Sequence, residues 1–535
     1  MRDLGVYSRL RIVVRTGVAA IAAVIAVGGS VGPAQAQAVD LSGPLGLQQA
    51  LEIAEAKSEA VALARVALTR NDGDFVRAKS GRRPQLSGTA TYDRSLANEF
   101  QGVFDTIDFG GGNGGTDGNN GSGGGLDNLP FGRANTWRAT LSFSQTLYSG
   151  GRLDAQDALV AVGRRSSEQA LTAARAQVLF DVTQAYYDAA LSGRLVAIAE
   201  ATLEQASATL RQVQAGFDAG TQPEFEVLRA RVGRDNQMPQ VIRQRVNRDV
   251  ALLRLKQLLD LPPDADLRLT DLLDDERLPP PGPFVEQVAT VERALPPTGG
   301  ASFTLQTNVP LPDRNAVAEA ETTISLREAS LRAVQAERRP SVSLTSNYSR
   351  IAFPSGFFPA FDRSNWSILA SVSVPLLTGG RQRGDEMVAS ADVEQARVQL
   401  RQVQELAALD TRSAWAELVA ARAAWEATSG TVQQATRAYE IADVRYRAGL
   451  STQLELSDSR LLSQQAEANR AQAARDLQVA RARVALLPNL PVGATGASAG
   501  GRGQPAPAGP APAPQTSGQV QRASAQGGGN QAGGR

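Results

Sequence analysis

Four stretches of this chain alternate apolar and polar side chains with period two, the pattern of a β-strand with one apolar face. In the first, about residues 84–95, Leu86, Gly88, Ala90 and Tyr92 oppose Ser87, Thr89, Thr91 and Asp93. In the second, about 137–148, Trp137, Ala139, Leu141 and Phe143 oppose Arg138, Thr140, Ser142 and Ser144. The third, about 340–350, sets Val342, Leu344 and Tyr348 against Ser343, Thr345 and Asn347. The fourth, about 366–377, sets Trp366, Ile368, Ala370, Val372 and Val374 against Ser367, Ser371 and Ser373. Each is about 10–12 residues, long enough to cross a bilayer at a tilt. Tyr92, Trp137, Tyr348 and Trp366 fall toward strand ends, where an aromatic girdle belongs. Alternation alone also suits a half-buried soluble sheet, so it leaves both readings open.

After the second and fourth strands the period changes to seven. Val182, Ala189, Val196, Leu203, Leu210 and Phe217 recur every seven residues, with Ala185, Ser192, Ala199, Ala206 and Val213 three positions on. The later run repeats this with Thr411, Leu418, Trp425, Val432, Tyr439 and Tyr446, then Ala414, Ala421, Thr428, Ala435 and Ala442. These are heptads with one larger and one small position, a seam along which helices approach closely. The spacing predicts long helices over 151–219 and 380–448, each roughly 105 Å at 1.5 Å per residue. Return helices are expected over 221–260 and 450–488, and Ala-rich helical runs over Leu47–Gly81 and Arg314–Glu337.

The two halves are copies of one another. Ser142–Arg152 aligns with Ser371–Arg381, Phe217–Gly220 with Tyr446–Gly449, and Leu261-Pro262 with Leu490-Pro491, all at one offset of 229 residues (Gly220 to Gly449). Upstream, Arg82-Arg83-Pro84 aligns with Arg338-Arg339-Pro340 at an offset of 256 (Pro84 to Pro340). The Gly-rich insertion around Phe104–Pro130, present in the first copy alone, accounts for the difference. The expected organisation is a first repeat over 37–262, a linker with an equatorial region over 263–312, and a second repeat over 313–491.

The ends carry no repeat. Arg2, Arg9, Arg11 and Arg15 precede the apolar segment Gly17–Gly28, and Ala34-Gln35-Ala36 supplies small residues for cleavage, so 1–36 reads as a signal peptide. The Gly-, Ala-, Pro- and Gln-rich tail, 492–535, is expected to be disordered, and Gly110–Gly125 to be a flexible loop between strands. Beyond the signal segment no apolar run approaches 18 residues, so a membrane could be crossed only by β-strands.

Composition narrows function by exclusion. The chain has no Cys and no His, which removes disulfides, thiolate and imidazole metal sites and the Ser-His-Asp triad. Its 55 basic and 54 acidic residues leave a net charge of +1, too balanced for a nucleic-acid partner. No enzyme is expected, no metal and no cofactor. Four amphipathic strands cannot close a barrel, which needs about eight, and open edges are not tolerated in lipid. A strand-bearing membrane chain of this kind must therefore oligomerise. The alternative, a structural coiled-coil surface or scaffold protein without transport activity, explains the heptads but not the paired strands.

The duplicated order, the Arg-Pro start of the odd strands, the Gly-Gly-Arg turns and the (Phe/Tyr)-x-x-Gly helix tips resemble the TolC family of outer-membrane efflux proteins, over roughly Leu45 to Pro491. The resemblance implies a mixed α and β membrane protein: a homotrimer with a twelve-stranded β-barrel in outer-membrane lipid, continued by a long α-helical barrel through the periplasm. It implies a passive exit duct for small molecules or proteins in a tripartite efflux or type I secretion system. The partners would be a periplasmic adaptor (membrane fusion) protein and an inner-membrane pump, antiporter-type or ATP-driven.

It also implies roles for particular residues. Phe217, Asp218, Ala219, Gly220 and Thr221 would dock the adaptor at one tip. Tyr446, Arg447, Ala448, Gly449, Leu450 and Ser451 would do so at the other. Glu455 and Asp458 match an acidic pair lining the periplasmic constriction. Glu226 and Tyr446 match a link that closes the tips. The family pattern has Arg where this chain has Ser451, so one closing link is missing or replaced.

Overall fold

The structure is a computed structural model that describes residues 44–96, 135–270, 273, 278–294, 312–353, 361 and 363–493. The expected signal peptide, the Gly-rich loop and all but the start of the tail lie outside the described residues. The described residues up to Val492 form one compact unit.

The chain runs α1 (Leu47–Lys57), α2 (Glu59–Ser80), β1 (Gln85–Arg94), β2 (Asn135–Tyr148), α3 (Arg152–Asp218), α4 (Glu224–Leu258), α5 (Val285–Ala294), α6 (Asn315–Ala336), β3 (Ser341–Ala352), β4 (Arg363–Ser373), α7 (Arg381–Arg447) and α8 (Gln453–Leu486). The first Ala-rich run is two helices rather than one. Ser58 leaves the helical region (φ −56°, ψ 126°) and separates α1, whose Leu47, Ala50, Leu51, Ile53 and Ala54 enter the core, from the largely exposed α2. The fourth strand ends at Ser373, short of 377, because Pro375 has no N–H to give a neighbour.

The strands form one antiparallel sheet in the order β1-β2-β3-β4. Its register gathers like with like. Tyr92 faces Trp137, Gly88 faces Leu141 and Leu86 faces Phe143 across β1–β2; Leu141 faces Tyr348 across β2–β3; Tyr348 faces Trp366 and Val342 faces Val372 across β3–β4. Residues directly opposite share a face, so the four apolar rows merge into one apolar surface. The other surface carries Ser, Thr and Asn. Tyr92 and Trp137 touch, with ring centroids 4.8 Å apart. β2 and β3 join the two repeats, which leaves β1 and β4 as edges.

Each even strand turns into a 67-residue helix through a pair of glycines. Gly150 and Gly151 (φ 66° and 92°) and Gly379 and Gly380 (φ 57° and 89°) occupy left-handed backbone that glycine adopts without a Cβ penalty. In α3 the heptad residues Val182, Ala185, Ala189, Ser192, Val196, Ala199, Ala206 and Val213 are all buried; in α7 Thr411, Ala414, Leu418, Trp425 and Ala442 are. No helix among the described residues is long and apolar enough to cross a membrane, so any crossing falls to the sheet.

The main core lies at mid-height of the long helices, where Val182, Tyr186 and Leu418 meet Leu51 of α1, Leu255 and Leu259 at the end of α4, and Leu477 of α8. Tyr186 donates its hydroxyl to the Leu45 carbonyl at 3.0 Å. The 263–312 region is described only in part. It contributes a 3₁₀ turn (Gly282–Phe284) and α5, held to α8 by Arg481, which binds Glu292 (2.8 Å) and the Leu278 carbonyl (2.8 Å).

Candidate docking tips and constriction

The helix hairpins end in two turns built on the same plan. At the first, Gly220 takes φ 73°, its N–H bonds the Phe217 carbonyl (2.9 Å), and the Thr221 N–H reaches back to Gly216 (2.8 Å). At the second, Gly449 takes φ 70°, bonds the Tyr446 carbonyl (3.0 Å), and the Leu450 N–H reaches back to Arg445 (2.8 Å). The six-to-one bond around a left-handed glycine is a Schellman ending, which satisfies the last helix carbonyls. Each return helix then starts from a rigid point. Pro223 opens α4, and the Thr452 hydroxyl accepts the Glu455 N–H (3.3 Å) to cap α8.

These turns expose apolar side chains that a soluble surface would hide. Phe217 and Leu450 stand out at the turns themselves; Phe225 (67% exposed) and Leu454 stand just beyond them at equivalent positions of the two repeats. Phe225 and Leu454 escape a sequence reading centred on the glycine turns, although the repeat offset pairs them. The polar tip residues are held locally. Asp218 accepts from the Gln214 amide (3.0 Å), the Thr221 hydroxyl donates to the Gly216 carbonyl (2.9 Å), and Arg447 pairs with Asp443 (2.7 Å). Equivalent positions differ in sign, Asp218 at one tip and Arg447 at the other.

Tyr446 leaves its own tip and packs with Leu210 against Val213, Val227 and Ala230, the small core of the first tip. Burial raises its hydroxyl pKa, the Glu226 charge raises it further, and Arg229 works against both. Glu226 is half-buried, and its Oε2 has no hydrogen-bond partner among the described residues. Tyr446 and Glu226 are thus neighbours within one chain without a hydrogen bond between them.

Glu455 and Asp458 stand one turn apart on α8, and they are not equivalent. Glu455 pairs with Arg445 of α7 at 3.1 Å, whereas Asp458 is exposed and makes no ion pair among the described residues. Ser451 is half-buried with an unpartnered hydroxyl. The cation beside Glu455 is therefore Arg445, six residues before the Ser451 position. The repeat alignment carries a signal for it: Arg445 replaces Gly216, where a Cβ would lie 2.7 Å from the Gln222 side chain, so a side chain there needs Gln222 to move. Behind the pair, Arg460 and Tyr439 are half-buried together; burial lowers the one pKa and raises the other. No cluster of metal-binding side chains occurs among the described residues.

Comparison with known proteins gives a single answer. The family described as outer membrane efflux protein matches residues 50–260 and 302–489, about three quarters of the chain. The Campylobacter jejuni CmeC outer membrane channel superposes with a TM-score of 0.62 at 16% identity, over 84% of this chain and 86% of that one. The outer membrane protein VceC of Vibrio cholerae gives 0.61 at 18%, over 82% and 95%. The open state of the Neisseria gonorrhoeae MtrE outer membrane channel gives 0.60 at 20%, over 83% and 89%. A search of curated proteins finds no match.

Proposed function

The chain belongs to the outer membrane efflux protein family, and from that premise we propose specific roles for its tips in gating and docking. It is an outer-membrane channel whose helices lie in the periplasm, a passive duct rather than an enzyme. Like others of the family it works as a homotrimer with a periplasmic adaptor and an inner-membrane pump. The scaffold alternative has no support.

The roles proposed are these. Phe217–Thr221 and Tyr446–Ser451, with Phe225 and Leu454 beside them, form the docking surface; their exposed apolar groups are what a hairpin of the adaptor would cover. Glu226 and Tyr446 hold the two tips of one chain together. Asp458, with Glu455, lines the constriction, where three chains make a carboxylate ring that favours cations. Arg445 neutralises Glu455 in the resting tip and takes the place of the link that Ser451 cannot make. The observation that carries this reading is the asymmetry of the acidic pair: one carboxylate bound at 3.1 Å, the other exposed. The pump is of the antiporter or ATP-driven kind, and small-molecule efflux and type I protein secretion both remain within the duct's chemistry.

The test is the reconstituted trimer in planar bilayers. Glu455→Ala with Asp458→Ala is expected to raise conductance and to lower the cation preference read from the reversal potential in a salt gradient. Asp458→Asn alone should lower selectivity with little change in conductance, because the Arg445 link survives. Unchanged conductance and selectivity in the double variant would remove these residues from the constriction.

A further inference from the structure

The polar face of the sheet is built mainly of small polar side chains, with Leu369, opposite Thr345, the apolar exception along its middle. Ser87, Thr89, Thr140, Ser142, Ser343, Thr345, Ser367 and Ser371 are small hydroxyl residues, as a water-filled lumen requires when the opposite face meets lipid. Among the strand residues on this face the charged ones are three: Asp93, Arg138 and Arg363. They do not scatter. Thr91 faces Arg138, Arg138 faces Ile351, and Ile351 faces Arg363, so one transverse row carries both guanidinium groups. Asp93 is one pleat beyond it, opposite Thr136.

The row lies at the end of the strands away from the helices, because α2 and α3 attach at Gln85 and Tyr148 while Thr91 and Arg138 lie near the opposite ends of β1 and β2. With the helices in the periplasm, that end is the outer mouth. Arg138 is exposed and makes no ion pair among the described residues. Arg363 lies over the Phe353 ring, 5.7 Å from its centroid, which anchors the group at this level. Among the described strand residues of this face two guanidinium groups stand against one carboxylate, and guanidinium stays charged at any physiological pH.

We infer that the outer mouth of the barrel carries a ring of arginines, Arg138 and Arg363 from each of three chains, that binds multivalent anions. The inference rests on the trimeric-duct reading. Threefold symmetry repeats the row around a lumen with low-dielectric walls, and charges so placed focus their field on the passage. Rings of Arg are how pores attract phosphate-like and carboxylate-bearing solutes. The sign is opposite to that of the carboxylates at the periplasmic tips, so the two ends of one duct discriminate differently. Phosphate- or carboxylate-rich solutes would be held at the exit, or would enter from outside and plug it.

The probe is tripolyphosphate, added to each chamber in turn while current through reconstituted trimers is recorded. Block is expected from one side only. Arg138→Gln with Arg363→Gln should raise the half-blocking concentration by about tenfold or more, and Arg138→Lys should retain most of the block. Because the sequence also holds six carboxylates in 97–134 and at 362 (Glu99, Asp105, Asp108, Asp117, Asp127, Asp362), the diagnostic is the change on substitution. Trimers that conduct but show the same half-blocking concentration in the wild type and the double Gln variant would overturn the ring while leaving the duct intact. A wild-type chain that forms no conducting trimer would overturn the duct reading and this inference with it.

Discussion

Gly220 and Gly449 show how much a single residue decides at the tips. Both sit in left-handed backbone, and nothing lies within 4 Å of where a Cβ would go. Substitution therefore meets no clash, and its cost is conformational alone, about 1 kcal/mol for a non-glycine residue in that region. Gly220→Ala and Gly449→Ala should each lower the local opening free energy by about that amount, seen as roughly fivefold faster amide exchange around the turn, with exchange in the central core unchanged. Slower or unchanged exchange would mean that the turns are held by something other than their backbone. These glycines were legible in the sequence because the requirement is local: a helix pattern stops, a glycine follows, and a second helix pattern begins. Arg445 was not legible as a partner of Glu455. The repeat alignment marks the position by setting Arg445 against Gly216, but the pairing itself depends on where the end of α7 lies against the start of α8.

At the scale of elements, the long helices and the strands were legible for the same reason. Heptads and alternation are written once per turn or per pleat, many times over, and the duplication writes them twice. The break at Ser58 was not, since neither Gly nor Pro marks it and the Ala-rich pattern runs through. The polar network that fixes α6 to α7 and α8 was also hidden. Arg314, with its side chain 3% exposed, binds Asp410 (2.8 Å), Thr411 (3.3 Å) and the Leu490 carbonyl (3.2 Å). Asp410 also binds Arg483 (2.9 Å), which in turn binds Glu417. These partners lie far apart in the chain, and their residue types are as common on solvated faces. Removing Asp410 leaves the buried Arg314 guanidinium without a carboxylate, which costs more than the pair ever contributed. Asp410→Ala is expected to cost about 3–5 kcal/mol, read as a lower midpoint for loss of helical signal in denaturant. A loss below about 1 kcal/mol would show that the network is solvated in the assembled protein.

Across the whole molecule, the duplication predicts how three chains close. Within one chain, β2 pairs with β3, and the turn beside that seam is tight: a Cβ on Gly150 would lie 2.6 Å from Cβ of Arg339, which reaches the Gly150 carbonyl at 3.4 Å. β4 is the copy of β2, and β1 is the copy of β3. In one chain both are edges, nothing lies within 4 Å of where a Cβ on Gly379 would go, and Arg83 makes no ion pair among the described residues. The arrangement is half of a seam that a neighbouring chain completes, with Gly379 set against Arg83 of that chain. Carrying the β2–β3 register over by the two repeat offsets pairs Ser371 with Thr91, from Ser142 with Asn347, and Val372 with Ala90, from Phe143 with Ser346. The absence of native cysteine makes this directly testable. Of two adjacent antiparallel pairs, one is the closer, non-hydrogen-bonded kind, about 4.5 Å between Cα atoms and within disulfide reach. Chains carrying Ser371→Cys with Thr91→Cys, or Val372→Cys with Ala90→Cys, should under mild oxidation give covalent dimers and trimers in at least one of the two combinations. Ser142→Cys with Asn347→Cys should cross-link only within a chain, and Ser371→Cys with Asp93→Cys, two residues out of register, should not cross-link. Covalent trimers from the out-of-register pair in place of the others would mean that the seam between chains does not copy the seam within them.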